Sequence, residues 1–314
     1  MSVITIENVR DFPTRARGAF VTVGNFDGVH RGHQRLLARL RAKADAAGVP
    51  ALAITFDPHP VALLRPEKAP VPLVWPEREI SLLKEAGATE VGVFQTGPWL
   101  LELSAREFFD QVIRGQLDAR GIVEGPNFAF GHDRLGDTNI LRTWCAQARI
   151  DFEVVEATMV EDKLVSSSLI RQCLNEGLVQ EATHFLGHPY RIRGQVAHGA
   201  GRGAGLGFPT ANLFGIDTLV PLDGVYAGLA WIKGKSPPYP AACNIGPNPT
   251  FGEQVRKVEA HLLDFEGDLY GQSIEIDFLE RLRGTRKFSG LDELLKQIQA
   301  DIGETRRIGS TSVP

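Results

Sequence analysis

An α/β domain followed by a β domain closed by a helix is the fold that this chain of 314 residues predicts. Three observations lead there. Short apolar runs alternate with amphipathic helical stretches from Phe20 to Val155, the pattern of a parallel sheet covered by helices. After Gly187-His188-Pro189 the helical period gives way to short β-like runs punctuated by Gly and Pro, which fit a compact antiparallel barrel. The length accommodates two cores at about 100–200 residues per domain. The expected domains are 1–187 and 188–305, with 306–314 as a frayed tail.

In chain order, Phe20–Val23 reads as a buried strand. Gln34–Ala47 reads as a helix with Leu36, Leu37 and Leu40 on one face and Gly48 as its stop. Ala51–Phe56 is the next strand, Pro76–Ala86 a helix closed by Gly87, and Glu90–Gln95 another strand. Ser104 and Glu107 form a capping box that opens a helix burying Phe108, Phe109, Val112 and Ile113. Gly121–Glu124 is a strand, Asp137 caps a helix running to Cys145, and Phe152–Val155 is a further strand. In the second half, 190–197, 224–231, 258–264 and 273–278 read as strands. Leu294, Leu295, Ile298 and Ile302 stripe a final helix over 291–302.

Hydrophobic residues at 43% supply enough apolar surface to offset the entropy of ordering the chain, which excludes wholesale disorder. A net charge of −4 provides no global positive field, which disfavours a protein that coats nucleic acid or an anionic membrane. No apolar run approaches the ~18–20 residues of a membrane span, and acidic residues stand where a signal peptide would be basic, so a cytoplasmic location is expected. Cys145, Cys173 and Cys243 form no ligand pair and are expected to be buried, reduced thiols.

The sharpest chemical signal is the string GNFDGVHRGH from Gly24 to His33, which follows a strand and opens a helix. Two imidazoles, His30 and His33, at a helix N-terminus, with Gly28 and Gly32 allowing close backbone approach, build a phosphate site from N–H groups, dipole and side-chain donors. Such a site suits nucleotidyl transfer, in which charge accumulates on the α-phosphate and the departing pyrophosphate. Thr55–Pro60 (TFDPHP) ends the second strand, where ligand loops sit in such sheets, although a proline-rich turn also explains it. Gly125–Gly131 follows the next strand but one, and either its Asn127 offers an amide to a base or a flavin edge or the string is a turn with an aromatic plug. Ser166–Arg171 joins hydroxyls at a helix start to an arginine one turn on, a polyphosphate clamp or a plain serine cap.

In the second half, the glycine-rich stretch from His198 to Gly203 leads into Gly205–Asn212 (GLGFPTAN). Thr210 and Asn212 are neutral oxygen ligands on one side of an extended segment, the kind that Mg²⁺ accepts beside substrate phosphates. Asn244–Phe251 (NIGPNPTF) is a second loop rich in turn residues. Glu259 precedes His261 in a β segment and is either a general base for a hydroxyl nucleophile or an exposed strand residue. Two motifs fail on context. Gly199-x-Gly201-x-x-Ala204 opens no helix, so it is no dinucleotide fingerprint, and Gly234-Lys235-Ser236 has Leu229 where a P-loop needs its first glycine.

These strings, in this order and ending with VEAHLLDF around Glu259, closely resemble the bacterial bifunctional riboflavin kinase/FMN adenylyltransferase (FAD synthetase) family from Gly18 to Ile302. The resemblance implies an N-terminal Rossmann-like HxGH nucleotidyltransferase domain and a C-terminal antiparallel β-barrel riboflavin kinase domain with a terminal helix. It implies that riboflavin, FMN and FAD are substrates and products, with ATP as co-substrate and Mg²⁺ as the metal. By position, Gly24, Asn25, Asp27, His30 and His33 form the ATP phosphate site, Asn127 helps bind flavin or nucleotide, and Ser167, Ser168 and Arg171 hold the triphosphate. Gly203, Thr210 and Asn212 serve MgATP in the kinase, with Thr210 and Asn212 as metal ligands and Glu259 as base. The family usually has Thr at Ser168, Arg or a polar residue at Ala129, and a basic residue near Ala204. The expected partners are small molecules alone, with neither nucleic acid nor membrane, in a monomer or weak homo-oligomer. Another HxGH transferase and a non-catalytic flavin-binding module are the competing readings. A chain ending near residue 190 would favour the former, and loss of Thr210, Asn212, His30 or His33 would favour the latter.

Overall fold

The computed structural model describes residues 3–8, 12–199, 202–247 and 255–312. They fall into two compact units. The first runs to Pro70 and from Trp75 to Ser166; the second takes Val71–Val74 and everything from Ser167 onward.

The first unit carries ten strands. Six form a parallel sheet: β1 (Ile4–Ile6), β2 (Phe20–Val23), β3 (Ala51–Asp57), β4 (Glu90–Gln95), β5 (Gly121–Glu124) and β8 (Asp151–Val154), in the order β1-β4-β3-β2-β5-β8. Two short hairpins, β6 (Ala129–Phe130) with β7 (Gly136–Asp137) and β9 (Met159–Val160) with β10 (Lys163–Leu164), stand outside it. The helices are α1 (Arg31–Ala47), α2 (Pro60–Leu64), α3 (Pro76–Glu85), α4 (Pro98–Leu101), α5 (Ala105–Glu107), which continues in wider π turns over Phe108–Gln116, and α6 (Thr138–Ala148). All of β2 is buried, as expected of a short apolar run covered on both faces. β1 escapes the sequence reading because three residues carry no period, yet Ile4 and Ile6 are buried beside β4.

The order of the sheet reverses at β2, which has β3 on one side and β5 on the other. The β2–β3 ladder runs to the last residue, Val23 opposite Ile54, whereas the β2–β5 ladder stops at Val21 opposite Ile122. A crevice therefore opens between the C-terminal ends of β2 and β5, the place where open α/β sheets bind ligands.

In the second unit, β11 (Tyr190–Ala197), β12 (Ala211–Phe214), β13 (Gly224–Ile232), β14 (Tyr239–Gly246), β15 (Lys257–Leu262) and β16 (Ser273–Arg283) close an antiparallel barrel in the order β11-β12-β15-β14-β13-β16. The sequence indicates four of these strands. β12 has only four residues, and β14 is rich in Ala with a Pro and a Gly, so both owe their extension to neighbours rather than to β propensity. The helices here are α7 (Ser167–Asn175), α8 (Val179–Leu186), the short α9 (Arg202–Gly205) and α10 (Leu291–Ser312).

The two compact units join in sequence at Ser166, upstream of the expected 187/188 boundary, because α7 and α8 pack on each other and α8 packs on β11 and β16. The Leu222 N–H donates to the Leu174 carbonyl at 2.9 Å, tying α7 to the segment before β13. One expectation is corrected: residues 306–312 are not frayed, since α10 continues to Ser312 and buries Thr305 and Ile308. A Cβ on Gly309 would meet the Pro240 side chain at 2.8 Å, so the helix end lies flat on β14. I308A is expected to cost about 2–5 kcal/mol of stability, read by urea melts of the full chain; a loss below ~0.5 kcal/mol would mean that this turn is dispensable.

The three cysteines are free and buried, and burial pushes the Cys145 and Cys243 thiols up to about 12. Among the described residues no helix is long and apolar enough to cross a membrane.

Candidate active sites

The first site is built where β2 ends. Gly28 adopts φ +81°, a left-handed turn that L side chains resist, and this brings the chain back into α1. His30, not Gln34, marks the start of that helix: it is the N-cap, and its Nδ1 accepts the His33 N–H at 3.4 Å. The His30 and His33 rings stack with centroids 3.7 Å apart, and Phe26 packs edge-on against His33 at 5.2 Å. A Cβ on Gly32 would lie 3.1 Å from the His30 ring, so glycine makes room for the stack.

Burial pushes the His30 pKa down to about 4, and burial together with the neighbouring His30 pushes His33 well below its ordinary value. Both rings are therefore neutral near pH 7 in the ligand-free protein. Because His30 Nδ1 accepts a hydrogen bond, its proton sits on Nε2, which is left as a donor.

These residues line a cleft of about 700 Å³. Gly24, Asn25, His30, His33 and Asn127 all border it, as do Phe56, Leu64 and Phe128 on its apolar side. Asp27 does not; its charge acts on Glu79, a half-buried carboxyl that accepts the Thr55 hydroxyl at 2.6 Å and whose pKa rises to about 7, chiefly by desolvation. Ser166 borders the cleft, while Ser167, Ser168 and Arg171 stand on α7 in the second unit, where the Arg171 Nε donates to the Val71 carbonyl at 2.9 Å. Ala129 lies on the cleft wall as well.

Glu124 is a cleft residue that sequence reasoning takes only as a strand end. It is 3% exposed, and its Oε1 accepts the Val23 N–H at 2.8 Å, the donor that the interrupted β2–β5 ladder leaves over. Burial pushes its carboxyl well above the usual range, against the downward pull of the Val23 N–H and the Thr22 hydroxyl. A group whose folded pKa is raised contributes fully at low pH, and its contribution is lost as pH rises through the folded value. E124Q keeps the acceptor without the ionisation and is expected to gain on the wild type between about pH 5 and about pH 8. E124A orphans a buried N–H and is expected to cost about 1–3 kcal/mol. Urea melts of both variants at the two pH values check this, and a pH-independent difference between E124Q and the wild type would refute it.

The second site lies on the barrel. β15 alternates, with Val258, Ala260 and Leu262 buried and Lys257, Glu259 and His261 on the other face. The register places Glu259 directly opposite Asn212 on one side and Asn244 on the other. Asn244, read in the sequence as part of a loop, is therefore the end of β14 and a neighbour of Glu259. A ring N–H of His261 at Nδ1 donates to the Pro209 carbonyl at 2.8 Å and so holds the chain just before Thr210; a carbonyl only accepts, which fixes the direction. Phe208 packs edge-on against the same ring.

A Cβ on Gly203 would fall 2.4 Å from the Phe208 carbonyl oxygen and 3.3 Å from Thr210 Oγ1, and one on Gly199 would collide with the Asn212 amide at 2.2 Å. The glycines thus open a cradle beside Thr210 and Asn212. Residues 200–201 of the glycine-rich stretch, 248–251 of NIGPNPTF and the side chains of Arg202 and Ala204 lie outside the described residues.

Residues 12–169 match the family model for FAD synthetase, and residues 186–309 match the one for riboflavin kinase. The chain is 37% identical to the bifunctional riboflavin kinase/FMN adenylyltransferase of Pseudomonas fluorescens, with 94% of each chain covered. It is 36% identical to the protein of that name in Bacillus subtilis, over 91% of each. A solved Streptococcus pneumoniae structure, named a macrolide-efflux protein, superposes with a TM-score of 0.85 at 31% identity over 98% of this chain and 99% of that one. A sheet crevice lined by two histidines comes first along the chain and a barrel bearing Glu259 second, in the order in which the two models match, and the chain belongs to the bifunctional riboflavin kinase/FMN adenylyltransferase family.

Proposed function

We propose that the barrel phosphorylates riboflavin to FMN with Glu259 as general base, and that the first unit adenylylates FMN to FAD with His30 and His33 as phosphate-binding donors. The observation that carries this reading is that each unit holds its own phosphate cradle next to the group its reaction requires. In the first, these are the α1 N-terminus and two stacked imidazoles. In the second, they are the glycine cradle and the Asn212–Glu259 cross-strand pair.

In the kinase reaction Glu259 accepts the proton of the riboflavin 5′-hydroxyl as that oxygen forms its bond to the γ-phosphorus of ATP, and the bond to the β–γ bridging oxygen breaks to release ADP. Thr210, Asn212 and the His261-pinned segment orient the phosphates, and positioning supplies most of the acceleration. The donor set beside Gly203 fits Mg²⁺. Thr210 and Asn212 are neutral oxygens in a space that a Cβ would fill, and among the described residues no group of three or more His, Cys, Asp or Glu forms an all-protein metal site. The ion would therefore share substrate phosphates, as Mg²⁺ commonly does, and neutralise their charge.

In the adenylyl transfer the FMN phosphate is already an anion and needs no base. Its oxygen attacks the α-phosphorus of ATP, and pyrophosphate leaves. His30 and His33 are neutral before ATP arrives and serve as hydrogen-bond donors at the end of the α1 dipole.

The deciding experiment incubates the protein with MgATP and riboflavin in one tube and with MgATP and FMN in another, followed by chromatography with fluorescence detection. FMN and then FAD in the first tube and FAD in the second support both assignments. FAD from FMN without product from riboflavin removes the kinase from the barrel.

A further inference from the structure

Two buried polar atoms on the wall of the first cleft have no hydrogen-bond partner among the described residues: Nδ1 of His33 and Oγ1 of Thr158. His33 belongs to the string that opens α1, whereas Thr158 comes from the segment between β8 and β9, and no sequence motif points to it. Its backbone is fixed, since the Thr158 carbonyl accepts the Val165 N–H at 3.0 Å and closes the β9–β10 hairpin.

A Cβ on Gly32 would lie 3.9 Å from the Thr158 Cβ and 3.1 Å from the His30 ring, so Thr158 stands over the first turn of α1 at Gly32. That turn belongs to a helix of 17 residues, whose first N–H groups and dipole attract an anion. A buried hydroxyl without a partner is costly and rare in a native structure unless something absent completes it. Thr22 and Thr96 in the same unit also have hydroxyls without a hydrogen-bond partner within distance but do not border the cleft, so coincidence of burial, lack of a partner and cleft position singles out Thr158 among the threonines.

We propose that the Thr158 hydroxyl donates a hydrogen bond to a phosphate oxygen of the nucleotide bound at the N-terminus of α1, as a third side-chain donor beside His30 and His33. The proposal rests on the adenylyl-transfer reading of this cleft. A hydroxyl suits the position because it donates to an anion without bringing a charge into a buried wall, and a neighbouring neutral imidazole does not compete for it with a negative charge. Two substrates bring phosphate to this cleft, ATP and FMN, and the kinetic arms of the test tell them apart.

T158V exchanges the hydroxyl for a methyl of similar size. With no partner lost in the ligand-free protein, its melting temperature is expected to stay level or rise. The KM of FAD synthesis is expected to rise about tenfold or more, the loss of a hydrogen bond to a charged group. A rise in the KM for ATP at saturating FMN assigns the contact to the triphosphate; a rise for FMN at saturating ATP assigns it to the flavin phosphate. Riboflavin phosphorylation, measured in the same preparation, is expected to be unchanged. If T158V folds poorly, T158S against T158A reads the same hydroxyl without the branched methyl, and T158S is expected to retain wild-type constants.

KM and kcat within about twofold of wild type in T158V, or equal constants for T158S and T158A, overturn the role of Thr158. That outcome is separable from failure of the cleft itself. If H30A/H33A is inactive in FAD synthesis and T158V is not impaired, only Thr158 is removed; if H30A/H33A remains active, the adenylyl-transfer reading falls with it.

Discussion

E259Q forms FMN about a hundred to ten thousand times more slowly than the wild type, while its FMN adenylylation is unchanged. The expectation rests on where Glu259 stands. It lies on the open face of β15, between Asn212 and Asn244 in the cross-strand row, with Val258 and Ala260 anchoring the strand from the buried face. Gln has the same shape, but it cannot take a proton from the riboflavin 5′-hydroxyl. The loss therefore falls on kcat more than on KM, and the melting temperature should hold. The measurement is steady-state FMN formation by chromatography, with FAD formation from FMN as the internal control. A kinase rate within about tenfold of wild type would remove Glu259 as the base.

The second large effect is in the other unit. H30A/H33A is expected to lose FAD synthesis by about 10²–10³-fold for each donor removed, with riboflavin phosphorylation spared. Part of any change could come from the helix itself, since His30 is the N-cap of α1 and removing a cap costs about 1 kcal/mol. H30N/H33N separates the two contributions. Asn at position 30 is a good N-cap and should restore the melting temperature, yet an amide does not reproduce the stacked imidazole donors, so FAD synthesis should remain low. Full FAD synthesis in H30A/H33A would show that the phosphates bind elsewhere.

Neutral histidines also shape the pH response. In the ligand-free protein burial pushes His30 down to about 4, so the loss of phosphate attraction with rising pH that an ordinary imidazolium pair would give near 6.5 has no source there. A bound triphosphate favours the protonated form, and binding below neutral pH should draw protons from solution.

Much of the architecture follows from local sequence. The strands β2, β3, β4 and β5 are short apolar runs, and α1 ends at Gly48 in a left-handed cap, as a C-terminal glycine dictates. The Ser104–Glu107 capping box forms as its spacing requires, with both reciprocal hydrogen bonds present. The strings around His30, Asn127, Thr210 and Glu259 were legible because each combines turn residues with chemistry-bearing side chains within a few positions. β1, β12 and β14 were not, because three or four residues or an Ala-rich run carry too little pattern to outweigh a loop.

Local sequence sufficed for the two-part order of an α/β sheet and a β barrel and for the turn that makes GNFDGVHRGH a helix N-terminus. Both depend on interactions between residues a few positions apart. Only the tertiary structure decided that α7 and α8 pack with the barrel, that α10 runs on past residue 305, and that Asn244 stands beside Glu259. It alone decided that the Glu124 carboxyl stands in for a missing ladder bond at Val23, 101 positions away, and that an unpartnered Thr158 hydroxyl overlooks Gly32. The reason is physical: burial and the pairing of buried polar groups are set by which distant segments meet, and no local pattern encodes that meeting.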